Sequence, residues 1–122
     1  MKVLAINPTK QAIDFLAETA CSYGCEEFQV VSNARLPSYS IPVTQLDSVA
    51  GVINPILLVQ RGGVDHRVAE IAENATLVVG PDNGHGEWEQ LFSGAPRVCV
   101  ATPVDYHLWS FIALALVLDN LK

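Results

Sequence analysis

The run Thr76-Leu-Val-Val-Gly80-Pro81-Asp82-Asn83-Gly84-His85-Gly86-Glu87-Trp88 concentrates the residue types that could do chemistry. An apolar, strand-like stretch runs into a loop carrying three glycines, two carboxylates and an imidazole. In open α/β sheets ligands bind beyond the carboxyl ends of strands, and glycines there let backbone groups approach closely. Pro81 and the Asp82-Asn83-Gly84 turn fix the loop's course. The plain alternative is a tight structural connection. No Walker lysine follows and the glycines lack GxGxxG spacing, so nucleotide phosphates are not indicated. His85-Gly-Glu87 matches the H-x-E of zinc deaminases, which continue with P-C-x-x-C. Here the downstream stretch is Pro96-Arg-Val-Cys99-Val-Ala, with no second cysteine, so that zinc site cannot be built. His85 reads as a solvent-side loop residue and His66, in Asp65-His66-Arg67, as a surface or capping residue. His107 either faces the ligand loop or packs inward. The three histidines have no metal-site spacing, and no metal is expected.

Five runs read as the strands that position this loop: Lys2–Ile6, Phe28–Val31, Pro55–Gln60, Thr76–Val79 and Arg97–Ala101. Most are continuously apolar, as strands covered on both faces are. Between them lie helical patterns. Gln11 to Tyr23 places Ile13, Leu16, Ala20 and Tyr23 on one face, and Gly24 supplies a stop. Asp65 to Asn74 reads as a short helix capped by Asp65, with Val68, Ile71 and Ala72 inward. Glu87 to Phe92 suits another turn or two. Asp105 to Leu121 reads as the last helix, with Asp105 as N-cap. Strands alternating with helices predict an α/β fold, a three-layer, mostly parallel five-stranded sheet in one domain over 1–122. Ser32 to Asn54, with Pro37, Pro42 and Gly51, reads as a long loop of the functional or mobile kind.

Half of the 122 residues are hydrophobic and 16% are charged, enough to bury a core. The net charge is −6, and Lys2, Lys10, Arg35, Arg61, Arg67, Arg97 and Lys122 form no cluster. Nucleic-acid affinity comes mostly from clustered cations, so the charge does not favour RNA binding. The N-terminus reads as a first strand rather than a signal peptide. Trp109 to Leu118 is too short to span a bilayer. Cys21, Cys25 and Cys99 read as buried free thiols of a reducing, cytoplasmic compartment. The last helix has almost no polar face from Trp109 to Leu118, which predicts a homodimer through it.

Three segments together resemble the SPOUT class of knotted RNA methyltransferases, in its SpoU-type 2′-O-ribose branch. The first is Ile6-Asn7-Pro8, then Glu18-Thr19-Ala20-Cys-Ser-Tyr23-Gly24 and the strand Phe28–Val31. The second is Leu77-Val-Val-Gly80-Pro81-Asp82-Asn-Gly84, similar to the family's Gly-Pro-Glu-Gly loop. The third is Val100-Ala-Thr-Pro103 running into Tyr106-His-Leu-Trp-Ser110 and a long apolar helix. Gly-Pro-Asp-Asn-Gly also resembles a loop of the S-adenosylmethionine-dependent halogenase and hydroxide adenosyltransferase family, and both comparisons imply an adenosyl ligand. The SPOUT resemblance implies a C-terminal trefoil knot and S-adenosylmethionine as cofactor. It also implies contacts from Gly80, Pro81, Asp82, Gly84, Ala101, Pro103 and Ser110, and two subunits packed through the final helix.

The sequence departs from that family on the RNA side. Its catalytic arginine falls on Glu18, which cannot stabilise a phosphate or a developing oxyanion as guanidinium does. The asparagine of its third motif falls on Leu108. No general base or other catalytic residue is assigned. Two further readings remain. One is a nucleoside-processing domain resembling the 2-deoxyribosyltransferases, with Glu87 or Glu89 as nucleophile; the other is a non-catalytic dimeric scaffold.

Overall fold

The computed structural model describes residues 1–32, 41–82, 86–104 and 107–121. Among these residues seven strands form one sheet: β1 (Lys2–Ile6), β2 (Glu27–Val31), β3 (Thr44–Leu46), β4 (Pro55–Val59), β5 (Val64–Asp65), β6 (Thr76–Val79) and β7 (Arg97–Cys99). Their order is β3-β2-β1-β6-β4-β7-β5, and every pair is parallel. Alternate side chains divide the interior in two, as the pleat requires. Val3, Ala5, Leu77, Val79, Ile56 and Leu58 face a layer of two helices, α1 (Lys10–Ser22) and α2 (Ser110–Asn120). Leu4, Ile6, Val78 and Leu57 face a thinner layer built from a 3₁₀ helix, Gly86–Phe92, with Val49 and Val52. Both faces are thus covered, which explains the unbroken apolar runs.

Local chemistry sets the ends of α1. The Thr9 side chain accepts from the Ala12 N–H at 3.2 Å, satisfying one orphan donor of the first turn. Gly24, at φ +73°, ends the helix: its N–H donates to the Cys21 carbonyl and the Cys25 N–H to that of Ala20. Those two bonds make a Schellman closure, which needs the left-handed conformation.

Several expectations are corrected. The sheet has seven strands, because β3 pairs with β2 inside the supposed loop Ser32–Asn54 and β5 pairs with β7. The helix expected over Asp65–Asn74 is absent. Val64–Asp65 is the edge strand, and one turn closes after it, with the Val68 and Ala69 N–H groups donating to the Asp65 carbonyl. The reason is reach. From β5 the chain must pass β7 and β4 to start β6, three strand spacings or about 14 Å sideways, while also returning to the other end of the sheet. Ten helical residues advance only about 15 Å in a single direction. Val68, expected inward, is exposed. The last helix starts at Ser110, with Trp109 as N-cap; Asp105 lies outside the described residues. Cys21 is exposed and Cys25 and Cys99 are half-buried, so the thiols are free but not all buried. His66 is buried rather than on the surface.

Candidate functional site

The carboxyl ends of β4, β6 and β7 open onto a cavity of about 180 Å³. Its walls are apolar: Leu58, Val98, Val100, Leu108 and Ala113. Its polar groups come from Gln60, Asp82, Glu89, His107 and Ser110, with Gly80, Pro81 and Trp88 completing one side. Among the described lining residues there is no lysine or arginine.

Three interactions hold this arrangement. The Ser110 N–H donates to Asp82 Oδ1 at 2.6 Å and the Ser110 hydroxyl to Oδ2 at 2.8 Å. Trp109 provides no side-chain cap to α2, so the ligand loop supplies the anion that the helix N-terminus favours. Across the mouth, His107 Nδ1 lies 2.9 Å from Gln60 Oε1. An amide oxygen only accepts, so that assignment puts a proton on Nδ1. On the third side the Arg97 guanidinium pairs with the Glu89 carboxylate, tying the 3₁₀ helix to β7.

Gly80 has a specific steric role. A Cβ at this position would overlap the Nε1, Cε2 and Cζ2 atoms of Trp88. The close approach expected between the Gly80 backbone and a ligand is therefore made, in this structure, by the Trp88 indole.

Of the residues implied by the family resemblance, Gly80, Pro81, Asp82 and Ser110 line the cavity. Ala101 and Pro103 are exposed beyond its edge, where Val100 is the β7-side wall. Gly84 and His85 lie outside the described residues. His107 is exposed, lines the cavity and meets Gln60 rather than packing inward. Gln60 and Trp88 line the site without having been assigned from the sequence, whereas His107 stood between two readings there; the signal for Gln60 was its place at a strand's carboxyl end. Glu87 is exposed and does not line the cavity, and Glu89 lines it but is engaged by Arg97, so neither presents a free carboxylate to the cavity. The described residues hold no cluster of three or more His, Cys, Asp or Glu side chains suited to a metal.

Away from the cavity, His66 packs between β5 and α2. Its N–H donates to the Cys99 carbonyl, and its own carbonyl accepts from Asn120 Nδ2. His66 Nδ1 comes within 3.4 Å of Asp65 Oδ1 but makes no hydrogen bond; the contact is one of proximity only. The Asp65 carboxylate accepts instead from the Arg67 Nε, Nη2 and backbone N–H. Those bonds hold its carboxyl well below the usual carboxylate range.

No protein-family model and no curated protein matches the chain. Solved structures do. The SpoU methyltransferase AviRb from Streptomyces viridochromogenes, in complex with the cofactor AdoMet, superposes with a TM-score of 0.77 at 16% identity. The match covers 98% of this chain and 58% of AviRb. A structure described for the 2-OH methylation of C/U34 on tRNA gives 0.79 at 16% identity, covering 98% and 86%. A probable methylase family protein from Haemophilus influenzae Rd KW20 gives 0.75 at 19%, covering 98% and 64%. This chain therefore has the SpoU methyltransferase fold, and it spans about three-fifths of AviRb's length.

Proposed function

We propose that this chain is an S-adenosylmethionine-binding domain of the SpoU type, with methyl transfer to a hydroxyl as its reaction class. The observation that carries the reading is the cavity at the β4, β6 and β7 carboxyl ends, lined on its described part by apolar and neutral or acidic groups. A phosphate ligand calls for Arg, Lys or a helix N-terminus. Here the α2 N-terminus is already taken by Asp82, and Arg97, next in sequence to the lining residue Val98, is paired with Glu89. An adenosyl ligand with a sulfonium and an amino acid carries no phosphate and suits acidic surroundings. SpoU structures of the same fold, one with AdoMet bound, support the assignment. Gly80, Pro81, Asp82 and Ser110 are the proposed binding residues, with Ala101 and Pro103 as outer contacts and Gly84, outside the described residues, kept from the resemblance alone.

The same reading includes a homodimer through α2, a trefoil threading of the C-terminal segment and a cytoplasmic location. Among the described residues no helix is long and apolar enough to cross a membrane. RNA is the acceptor that the fold suggests and the charge opposes. Glu18, where the resemblance implies an arginine, is exposed on α1 beside the exposed Asp14. Binding to generic tRNA at roughly 150 mM salt is therefore expected to be weak, with a shallow salt dependence.

Calorimetry and thermal shift with S-adenosylmethionine and its demethylated product test the reading. A ligand that binds only the folded state raises the melting temperature by mass action. No heat and no shift with either compound at millimolar concentration would sink it.

A further inference from the structure

We propose that Trp88 is the size-selecting gate of the strand-end cavity, its indole occupying, beside Gly80, volume that part of an adenosyl ligand fills when the side chain turns away. The proposal rests on the adenosyl reading above and adds a selecting residue to that site.

Volume gives the first reason. Cavities that take drug-sized ligands run to about 300–1,000 Å³, whereas this one is about 180 Å³. An adenosyl ligand needs more room than the closed form offers. The second reason is where the missing room lies. The Trp88 ring stands so close to Gly80 that no Cβ fits between them, and the same ring lines the cavity. The third is how Trp88 is held. Phe92 is buried in the core and Glu89 is tied to Arg97, so the 3₁₀ element is anchored at two positions that follow the tryptophan. Trp88 itself is only half-buried, packed against the cluster of Leu4, Ile6, Leu57 and Val78. The side chain can turn without the element moving.

A closed form that must open reduces apparent affinity by the fraction that is open. Removing the indole should remove that factor. Trp88→Ala is expected to bind S-adenosylmethionine about tenfold more tightly than wild type, the factor for a closed form populated at roughly 90%. Trp88→Phe, which keeps an aromatic ring on the core, should give a smaller gain and serves if the alanine variant folds poorly. Because the chain has two tryptophans, Trp109→Phe leaves Trp88 as the single reporter. Its emission should shift to the red, and acrylamide should quench it more readily, at saturating S-adenosylmethionine. Indole at millimolar concentration provides an arm that needs no adenosyl ligand: it should raise the melting temperature of Trp88→Ala by refilling the space, and leave wild type unchanged.

The outcomes separate the two ideas. If both proteins ignore S-adenosylmethionine while indole stabilises Trp88→Ala, the adenosyl reading falls and the closed cavity stands. If S-adenosylmethionine binds but Trp88→Ala and Trp88→Phe bind it equally or more weakly, Trp88 is a fixed wall and the gate is overturned. An absent indole effect in a folded Trp88→Ala overturns it as well.

Discussion

Asp82 caps a helix to which it does not belong. Its two oxygens take the amide and hydroxyl of Ser110, 28 positions along the chain, and that distance is why the sequence could mark both as site residues without joining them. Charge-assisted caps in part-buried settings contribute about 1–3 kcal/mol. Asp82→Ala is therefore expected to lower the unfolding free energy by that amount, read as a lower urea midpoint at an unchanged m-value, with Asp82→Asn losing less because Oδ1 still accepts. An Asp82→Ala protein as stable as wild type would remove the cap argument. A second carboxylate bears on pH. The side-chain and backbone donors of Arg67 depress the Asp65 carboxyl in the folded state. The sign follows from linkage: a depressed carboxyl adds stability that is complete above its unfolded value of about 4 and is lost as pH falls through the folded one. Arg67→Ala should move the Asp65 carboxyl titration, followed by NMR, back towards that ordinary value and shrink the acid-side loss. Asp65 is half-buried and its partner Arg67 is exposed, so the effect on stability should be small.

Elements differ in how far pattern reveals them. The β1 and β6 limits were legible to the residue, because both faces of those strands are buried and the apolar runs end where burial ends. β3 was not: its Thr44 and Gln45 are exposed, so nothing apolar marks them, and only their pairing with Gln29 and Val30 makes a strand. Asp65 and the apolar positions after it fit a helical period, but the edge pairing of Val64–Asp65 with β7 takes precedence. Gly63 enables that pairing. A Cβ there would meet the backbone of Arg97 and Val98 at 2.9 Å, so Gly63→Ala should loosen β5, read as faster amide exchange at His66, whose N–H donates to the Cys99 carbonyl. The apolar circumference of α2 was legible, but its division into faces was not. Leu114, Val117 and Leu118 are buried, whereas Ile112 and Leu116 are about 40% exposed. Leu114→Ala should cost about 2–5 kcal/mol in chemical denaturation. Ile112→Ala should cost far less in the monomer, and equal losses would contradict the assignment of faces.

At the scale of the whole molecule, the outer surface of the helical layer raises the question of what covers it. Phe15 on α1 stacks on Phe111 of α2 at a centroid distance of 4.8 Å, and Trp109 stands 6.1 Å from Phe111. Phe15 and Trp109 are about half exposed, and Ile112 and Leu116 lie on the same short helix. Four exposed large side chains with a partly buried phenylalanine form an apolar patch of the kind that marks an interface. It also lies where the SpoU resemblance implies subunit contact. Burying each such side chain stabilises by roughly 1.5–3 kcal/mol before the cost of association. Like subunits usually pair about a two-fold axis, so one aromatic patch can meet its own copy. The charge on α1 limits how they meet: Asp14 and Glu18 are exposed on that helix, and facing copies must keep them on the solvated rim. Light scattering at micromolar concentration should therefore report twice the chain mass for the wild type. Leu116→Glu, at an exposed position, should give a folded monomer with an unchanged far-ultraviolet spectrum, whereas Leu118→Glu, 5% exposed, should unfold the chain. Raised salt should leave the dimer intact or strengthen it, because the contact is apolar and screening relieves the acidic rim. A wild-type protein that scatters as one chain across that concentration range would refute the interface and leave the patch to a different partner.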